Sequence, residues 1–213
     1  MELSSNLLAA MELARGAKLA SVLAKTALPA QQVKECETAP VMTPQPPEQA
    51  LPVPEVAYRF IQSDEHLVEL LEAATAVNHF AIDTETTGLD PLMGKIRLMQ
   101  IAIPDHPVFV VDLWAISVEG RALIQKVLSL PALKIFHNAK FDLKFLKRAG
   151  FNVVGPFFDT MLAAYMLEIG RDDAKMPSLK SIAAKYLQVD LPKEQQQADW
   201  SGSISPEMIE YSA

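Results

Sequence analysis

Cysteine is almost missing from this chain: Cys36 is the only one in 213 residues. It lies in a proline-rich stretch and has no partner, which excludes a disulfide framework and a cysteine-based metal cluster. A reducing, cytoplasmic setting fits best. Long apolar runs are also missing. No stretch of about eighteen uncharged apolar residues occurs, so a membrane-spanning helix is excluded. The first 27 residues do not read as an export signal, because Glu2 sits where a positive charge belongs and Glu12, Arg15 and Lys18 interrupt the apolar part. Positive charge is short as well, with a formal net charge of -7. That balance argues against a protein that coats nucleic acid. It leaves room for one that grips phosphate through metal ions and a local basic strip.

What is there is apolar surface, half of all residues, enough for one good core. The chain reads as one domain with appendages. In residues 1–27, Leu3, Leu7, Leu8, Met11, Leu19, Val22 and Leu23 fall on one broad helical face. This predicts an amphipathic helix, or two shorter ones divided near Gly16 and Lys18. Such a stripe could pack on the main domain, pair with a second copy, or lie on a protein partner. Residues 28–56 turn to Pro, Gln, Glu and Thr, a composition that cannot offset its own ordering entropy, so a disordered, semi-extended linker is expected. The folded domain spans 57–213.

Within that domain, Ser63 or Asp64 is placed to cap a helix through Leu67, Leu70, Leu71 and Ala74. Three apolar runs follow: one that opens at His79 and closes in two acids before a turn, then Ile96 to Ile103 and Val108 to Leu113. The last two are joined by the short turn Pro104-Asp105-His106-Pro107, so the three read as a meander. A helix over Ser117 to Ser129 then leads to a strand at Leu133 to His137. Strands first, then alternating helix and strand, predicts an α/β fold with a mixed sheet flanked by helices.

The first of those runs ends in acids. Side chains alternate along a strand, so Asp83 and Glu85 project from one face. Two carboxylates in one small volume repel unless a hard cation such as Mg²⁺ or Mn²⁺ neutralises them. The bland alternative is a strand end whose acids face water. A second acid pattern lies in the helix that follows Phe136-His137-Asn138. There Asp142 shares a face with Phe145, Leu146 and Ala149, while Lys140, Lys144, Lys147 and Arg148 cluster outside. A carboxylate on the core stripe calls for a cation, and that face supplies none.

Taken together, Asp83-Thr84-Glu85-Thr86-Thr87-Gly88-Leu89-Asp90 and His137-Asn138-Ala139-Lys140-Phe141-Asp142 resemble the first two motifs of the DEDD family of 3′-5′ exonucleases. The resemblance runs from Tyr58 onward and implies a ribonuclease-H-like fold. Ser205-Pro206-Glu207-Met208-Ile209-Glu210-Tyr211 resembles the opening of the third motif in the family's tyrosine branch. The resemblance implies two-metal hydrolysis of phosphodiester bonds, with Mg²⁺ or Mn²⁺ held by Asp83, Glu85 and Asp142. Tyr211 would orient the attacking water. Thr86, Leu89, Asn138 and Phe141 match substrate contacts, with Leu89 wedging against terminal bases. The implied partner is a single-stranded or frayed 3′ end of DNA, with RNA trimming as the alternative. A non-catalytic nucleic-acid-binding or adaptor module is the reading from a different class.

Three further features are expected on the same footing. Asp159, in Phe158-Asp159-Thr160-Met161, reads as a helix N-cap in preference to a metal ligand. The pattern Lys193, Gln196, Asp199, Trp200 is similar to one in ribonuclease D-type and proofreading-type exonucleases; Trp200 reads as packing, and Asp199 and Lys193 either tie the loop down or touch substrate. The family's last aspartate falls four positions after its tyrosine, whereas this chain ends two residues after Tyr211. A fragment with impaired activity is therefore expected.

Overall fold

A computed structural model describes residues 56–169, 175–191 and 199–213. The helix read over 1–27, the linker read over 28–56 apart from Val56, and Lys193 with Gln196 lie outside the described residues. The chain runs β1 (Tyr58–Ile61), a 3₁₀ turn (Asp64–His66), α1 (Leu67–Thr75), β2 (His79–Thr86), β3 (Ile96–Ala102), β4 (Val108–Asp112) and α2 (Val118–Leu128). It continues with β5 (Leu133–Phe136), α3 (Ala139–Arg148), β6 (Phe157–Asp159), α4 (Thr160–Met166), α5 (Leu179–Ile182) running into a π-helical turn (Ala183–Leu187), and α6 (Pro206–Ser212).

The six strands form one sheet in the order β1-β4-β3-β2-β5-β6. Antiparallel pairing joins β2 to β3 and β3 to β4, which is the expected meander; β1 on β4, β5 on β2 and β6 on β5 are parallel. The sheet is mixed, as the order of apolar runs predicted. Alternation along the strands divides the core in two. Phe80, Ile82, Met99, Ile101, Phe109 and Val111 face α1, α2 and α3. Ala81, Leu98, Ala102, Val110 and Ile135 point the other way and pack with Trp200 and with Met208 of α6. With both faces covered, β2 must be apolar on consecutive residues, and Phe80, Ala81 and Ile82 are.

Two strands escaped the sequence reading. The four residues of β1 carry Arg59 in their middle, and β6 is three residues after Gly155-Pro156, so neither offers a measurable period. The cap expected at Ser63 or Asp64 is also not made. Ser63 forms no side-chain bond to the helix, and Asp64 turns to the start of α2, where its carboxylate accepts from the backbone N–H (3.0 Å) and hydroxyl of Ser117. An acid beside a free helix N-terminus found the stronger demand elsewhere.

Asp159 does cap, and more than expected. It starts α4 by accepting from the N–H groups of Met161 (2.9 Å) and Leu162 (3.3 Å), and it also accepts from those of Asn138 (3.1 Å) and Ala139 (2.9 Å). One carboxylate therefore holds the first turns of α3 and α4 together. Asn138 takes a left-handed conformation, φ 64°, to bring the chain from β5 into α3. The hydroxyl of Thr160 bridges His137 Nδ1 (2.9 Å) and the carbonyl of Phe136 (3.1 Å) across the same junction. A lost cap costs about 1 kcal/mol. Asp159→Ala is accordingly expected to lower stability by about 2 kcal/mol in urea unfolding, the sum of two caps. Asp159→Asn, which keeps an acceptor oxygen, should retain more than half of that difference; equal losses in the two variants would contradict the double-cap account.

Candidate active site

The central strand sets out the acids. Asp83 and Glu85 lie on the face of the second apolar cluster, and Thr84 between them points to the opposite face, where it is buried. The ladder is interrupted between Glu85 and Thr86, and the chain leaves the sheet in a braced turn. The Thr86 hydroxyl donates to the Gly88 carbonyl (2.8 Å), Asp90 Oδ1 accepts from Leu92 N–H (2.9 Å), and the Asp90 carbonyl accepts from Gly94 N–H (2.7 Å). A side chain on Gly94 would meet that carbonyl and Phe145 at 3.2 Å, a tight contact that glycine avoids. The turn pushes Leu89 into solvent, 85 % exposed, alongside Leu92 and Met93.

From the other side, α3 delivers Asp142 one turn after its start. The carboxylate is buried, and the hydroxyl of Thr84 donates to its Oδ1 at 2.6 Å. The sequence did not suggest this neutral partner, supplied by the residue between the two strand acids. The missed signal was alternation itself: a threonine in step with Phe80 and Ile82 has to face the core helices.

The electrostatics follow from crowding. Asp83 is open to solvent on its outer side but deeply surrounded by protein, and desolvation pushes its carboxyl up to about 6. Glu85 is pushed up to about 8, first by desolvation and then by the charges of Asp83 and Asp142. Burial, followed by repulsion from Asp83, holds Asp142 well above the usual carboxylate range despite the Thr84 bond. The ion pairs among the described residues join other groups.

Three oxygen-donor side chains raised by burial, two of them also by the charge of Asp83, suit a hard divalent cation. The donor chemistry fits such an ion. The oxygens are not already gathered into a cage: among the described residues no three acidic, histidine or cysteine side chains converge on one point.

The remaining expected residues fall around this centre. Tyr211 lies on α6, half-buried in the cluster that packs on the Asp83 face; α6 starts as read, with the Ser205 hydroxyl accepting from Met208 N–H (3.3 Å) and Pro206 in its first turn. Asn138 and Phe141 flank the start of α3, and the Phe141 ring tilts against Phe145 at 4.9 Å. Lys140, Lys144, Lys147 and Arg148 are exposed. Trp200 is buried, and Asp199 accepts from Ser201, closing its own turn. A cavity of about 580 Å³ beside the Leu92-Met93 turn has Trp114, Arg121 and Phe145 in its walls and none of the three carboxylates. The acids lie outside that cavity, at the end of β2 and in the first turns of α3. Gln100 on β3 was also missed; a polar residue inside the apolar run Ile96–Ile103 was its signal.

Residues 58–213 match the family of 3′-5′ exonuclease domains. Over 139 residues the chain is 36% identical to DNA polymerase I of Borreliella burgdorferi, an alignment that covers 62% of this chain and 15% of that protein. Among solved structures it resembles Escherichia coli RNase D, an exoribonuclease involved in structured RNA processing, with TM-score 0.64 and 25% identity over 74% of this chain and 41% of that one. It also resembles Brucella melitensis NrnC with bound Mg²⁺, with TM-score 0.55 and 26% identity over 74% of each chain. The chain thus spans only a small part of the polymerase it matches.

The raised carboxylates make a pH prediction for the metal-free chain. The folded state of Glu85 holds its proton up to about 8, whereas the unfolded state releases it near 4.5. Between those limits the folded state binds more protons, so stability falls as pH rises. The cost is absent below about 4.5, grows through the window and is complete above about 8. Thermal unfolding without divalent metal should show a falling midpoint across this range, and Glu85→Gln should flatten it; a midpoint that rises with pH would contradict the arrangement.

Proposed function

The chain belongs to the 3′-5′ exonuclease family, and from that premise we propose that its cleft hydrolyses the terminal phosphodiester bond at the 3′ end of a nucleic-acid strand, most directly single-stranded or frayed DNA, with two Mg²⁺ or Mn²⁺ ions. The observation that carries this reading is the grouping of Asp83, Glu85 and Asp142, each held above the ordinary carboxylate range and in none of the ion pairs among the described residues. The ions would be held by these three residues, and when bound they would generate the nucleophile and offset charge on the attacked phosphate.

The chain's own residues divide the remaining work. Asp83 and Glu85 present oxygens from the strand, and Asp142 presents its own from the helix opposite. Thr84 fixes the Asp142 rotamer through the 2.6 Å bond, so the buried acid faces the cleft from one direction. Tyr211, on the helix that covers the Asp83 face, would orient the attacking water. Leu89, carried out on the braced turn, would wedge against the last base, with Thr86, Asn138 and Phe141 around the terminal nucleotide. The exposed Lys140, Lys144, Lys147 and Arg148 on α3 would draw the strand's phosphates to the cleft.

DNA is supported by the polymerase relative, and a second reading, RNA trimming, by the likeness to RNase D. The physical difference between them is tolerance of the 2′-hydroxyl. The test times the shortening of 5′-labelled DNA and RNA of equal sequence with Mn²⁺, with Asp83→Ala as control. Whatever single-nucleotide shortening this chain supports is expected on DNA before RNA, slowly in keeping with impaired activity, and Asp83→Ala should slow it at least about a hundredfold further, since each metal contact contributes several kcal/mol to the transition state. RNA shortened faster than DNA would select the second reading. An unchanged rate in Asp83→Ala would remove the carboxylates from the mechanism.

A further inference from the structure

One buried polar side chain near the cleft has no role in that scheme. Gln100 lies in the middle of β3, 4 % exposed, and both its Oε1 and its Nε2 are buried without a hydrogen-bond partner among the described residues. Its strand neighbours Leu98 and Ala102 belong to the second apolar cluster, so the carboxamide rises from that same sheet face. The register puts Gln100 directly opposite Asp83 on β2, with Val110 on its other side on β4. Side chains opposed in this way stand next to each other on one face. The orphaned amide is therefore the cross-strand neighbour of the acid at the centre of the cleft.

A buried donor and acceptor left unpaired both cost stability. A methionine or leucine would extend the cluster of Leu98, Ala102 and Val110 without that cost. The fold bears it beside Asp83, where a carboxylate offers lone pairs to a donor. We propose that Gln100 is a positioning residue: its Nε2–H donates to the Asp83 carboxylate when a divalent cation occupies the centre. The bond fixes which oxygen of Asp83 faces the ion and ties β3 to the site. This inference rests on the metal-binding reading above.

The test uses the whole chain, titrated with Mn²⁺ and followed by water-proton relaxation, in three forms: unaltered, Gln100→Met and Asp83→Asn. Each is also unfolded thermally without metal. Gln100→Met is expected to keep or raise the metal-free midpoint, because no folded-state bond is lost, and to weaken Mn²⁺ binding about tenfold, the effect of one hydrogen bond to a charged group. Unaltered Mn²⁺ affinity in Gln100→Met would overturn the role. So would a midpoint that falls together with affinity, since Gln100 would then serve the fold rather than the site. If the unaltered chain binds no more Mn²⁺ than Asp83→Asn, the metal-binding reading itself fails and the positioning role goes with it.

Discussion

The structure is organised around the desolvation of carboxylates. Asp83, Glu85 and Asp142 are so surrounded by protein that desolvation, with repulsion added at Glu85 and Asp142, raises the proton affinity of each above that of a free carboxyl. Hydrogen bonds relieve it only in part: the backbone of Thr84 at Asp83, and the Thr84 hydroxyl at Asp142. Such an arrangement persists only if the surrounding fold is strong enough to impose it. Here it is imposed by a strand paired on both sides within the sheet and, opposite, by a helix whose first turn is held by Asp159. The acids do not choose their places; the core assigns them.

Strand alternation lets one short segment do this. In β2 the residues Phe80, Ile82 and Thr84 secure the strand to the helical layer, and Thr84 extends that contact to Asp142. Ala81, Asp83 and Glu85 face the other layer. A slip of one residue in register would exchange the two sets and bury both acids among Phe and Ile side chains. The register is fixed by pairing on both sides, antiparallel with β3 and parallel with β5. Specific chemistry at Asp83 therefore depends on backbone pairing at Ile101 and Ile135, residues that never touch the cleft.

This division explains what was legible in the sequence. The long runs around Ile82, Ile101 and Val110 announce their strands because each is apolar over many residues, and the amphipathic stripe of α3 exposed the anomaly at Asp142. The motif around Asp83 and Glu85 fixes which strand matters. Short edge strands are different. Tyr58–Ile61 and Phe157–Asp159 are too brief to show a period and pair only because the sheet is already there. Asp64 shows a second reason: whether an acid caps its own helix or a neighbour's is decided by tertiary proximity to Ser117, which local patterning does not encode. The same holds for the second cap made by Asp159, which joins residues about twenty positions apart.

Tyr211 is held in place by another route. Its helix has seven residues, too few to be stable in isolation. The cap at Ser205 and the burial of Met208 against the second apolar cluster hold it in place. The acids of β2 and α3 are anchored mainly in the first cluster, through Phe80, Ile82, Phe145 and Leu146. The cleft is thus assembled from two packing systems that share only the sheet between them. Loosening the cluster around Trp200 and Met208 would displace Tyr211 while leaving Thr84 bonded to Asp142, so the placement of α6 and the placement of the buried acid are separable properties of this fold. Gln100 stands where the two systems meet, with Leu98 and Val110 of the second cluster beside it and Asp83 across the strand.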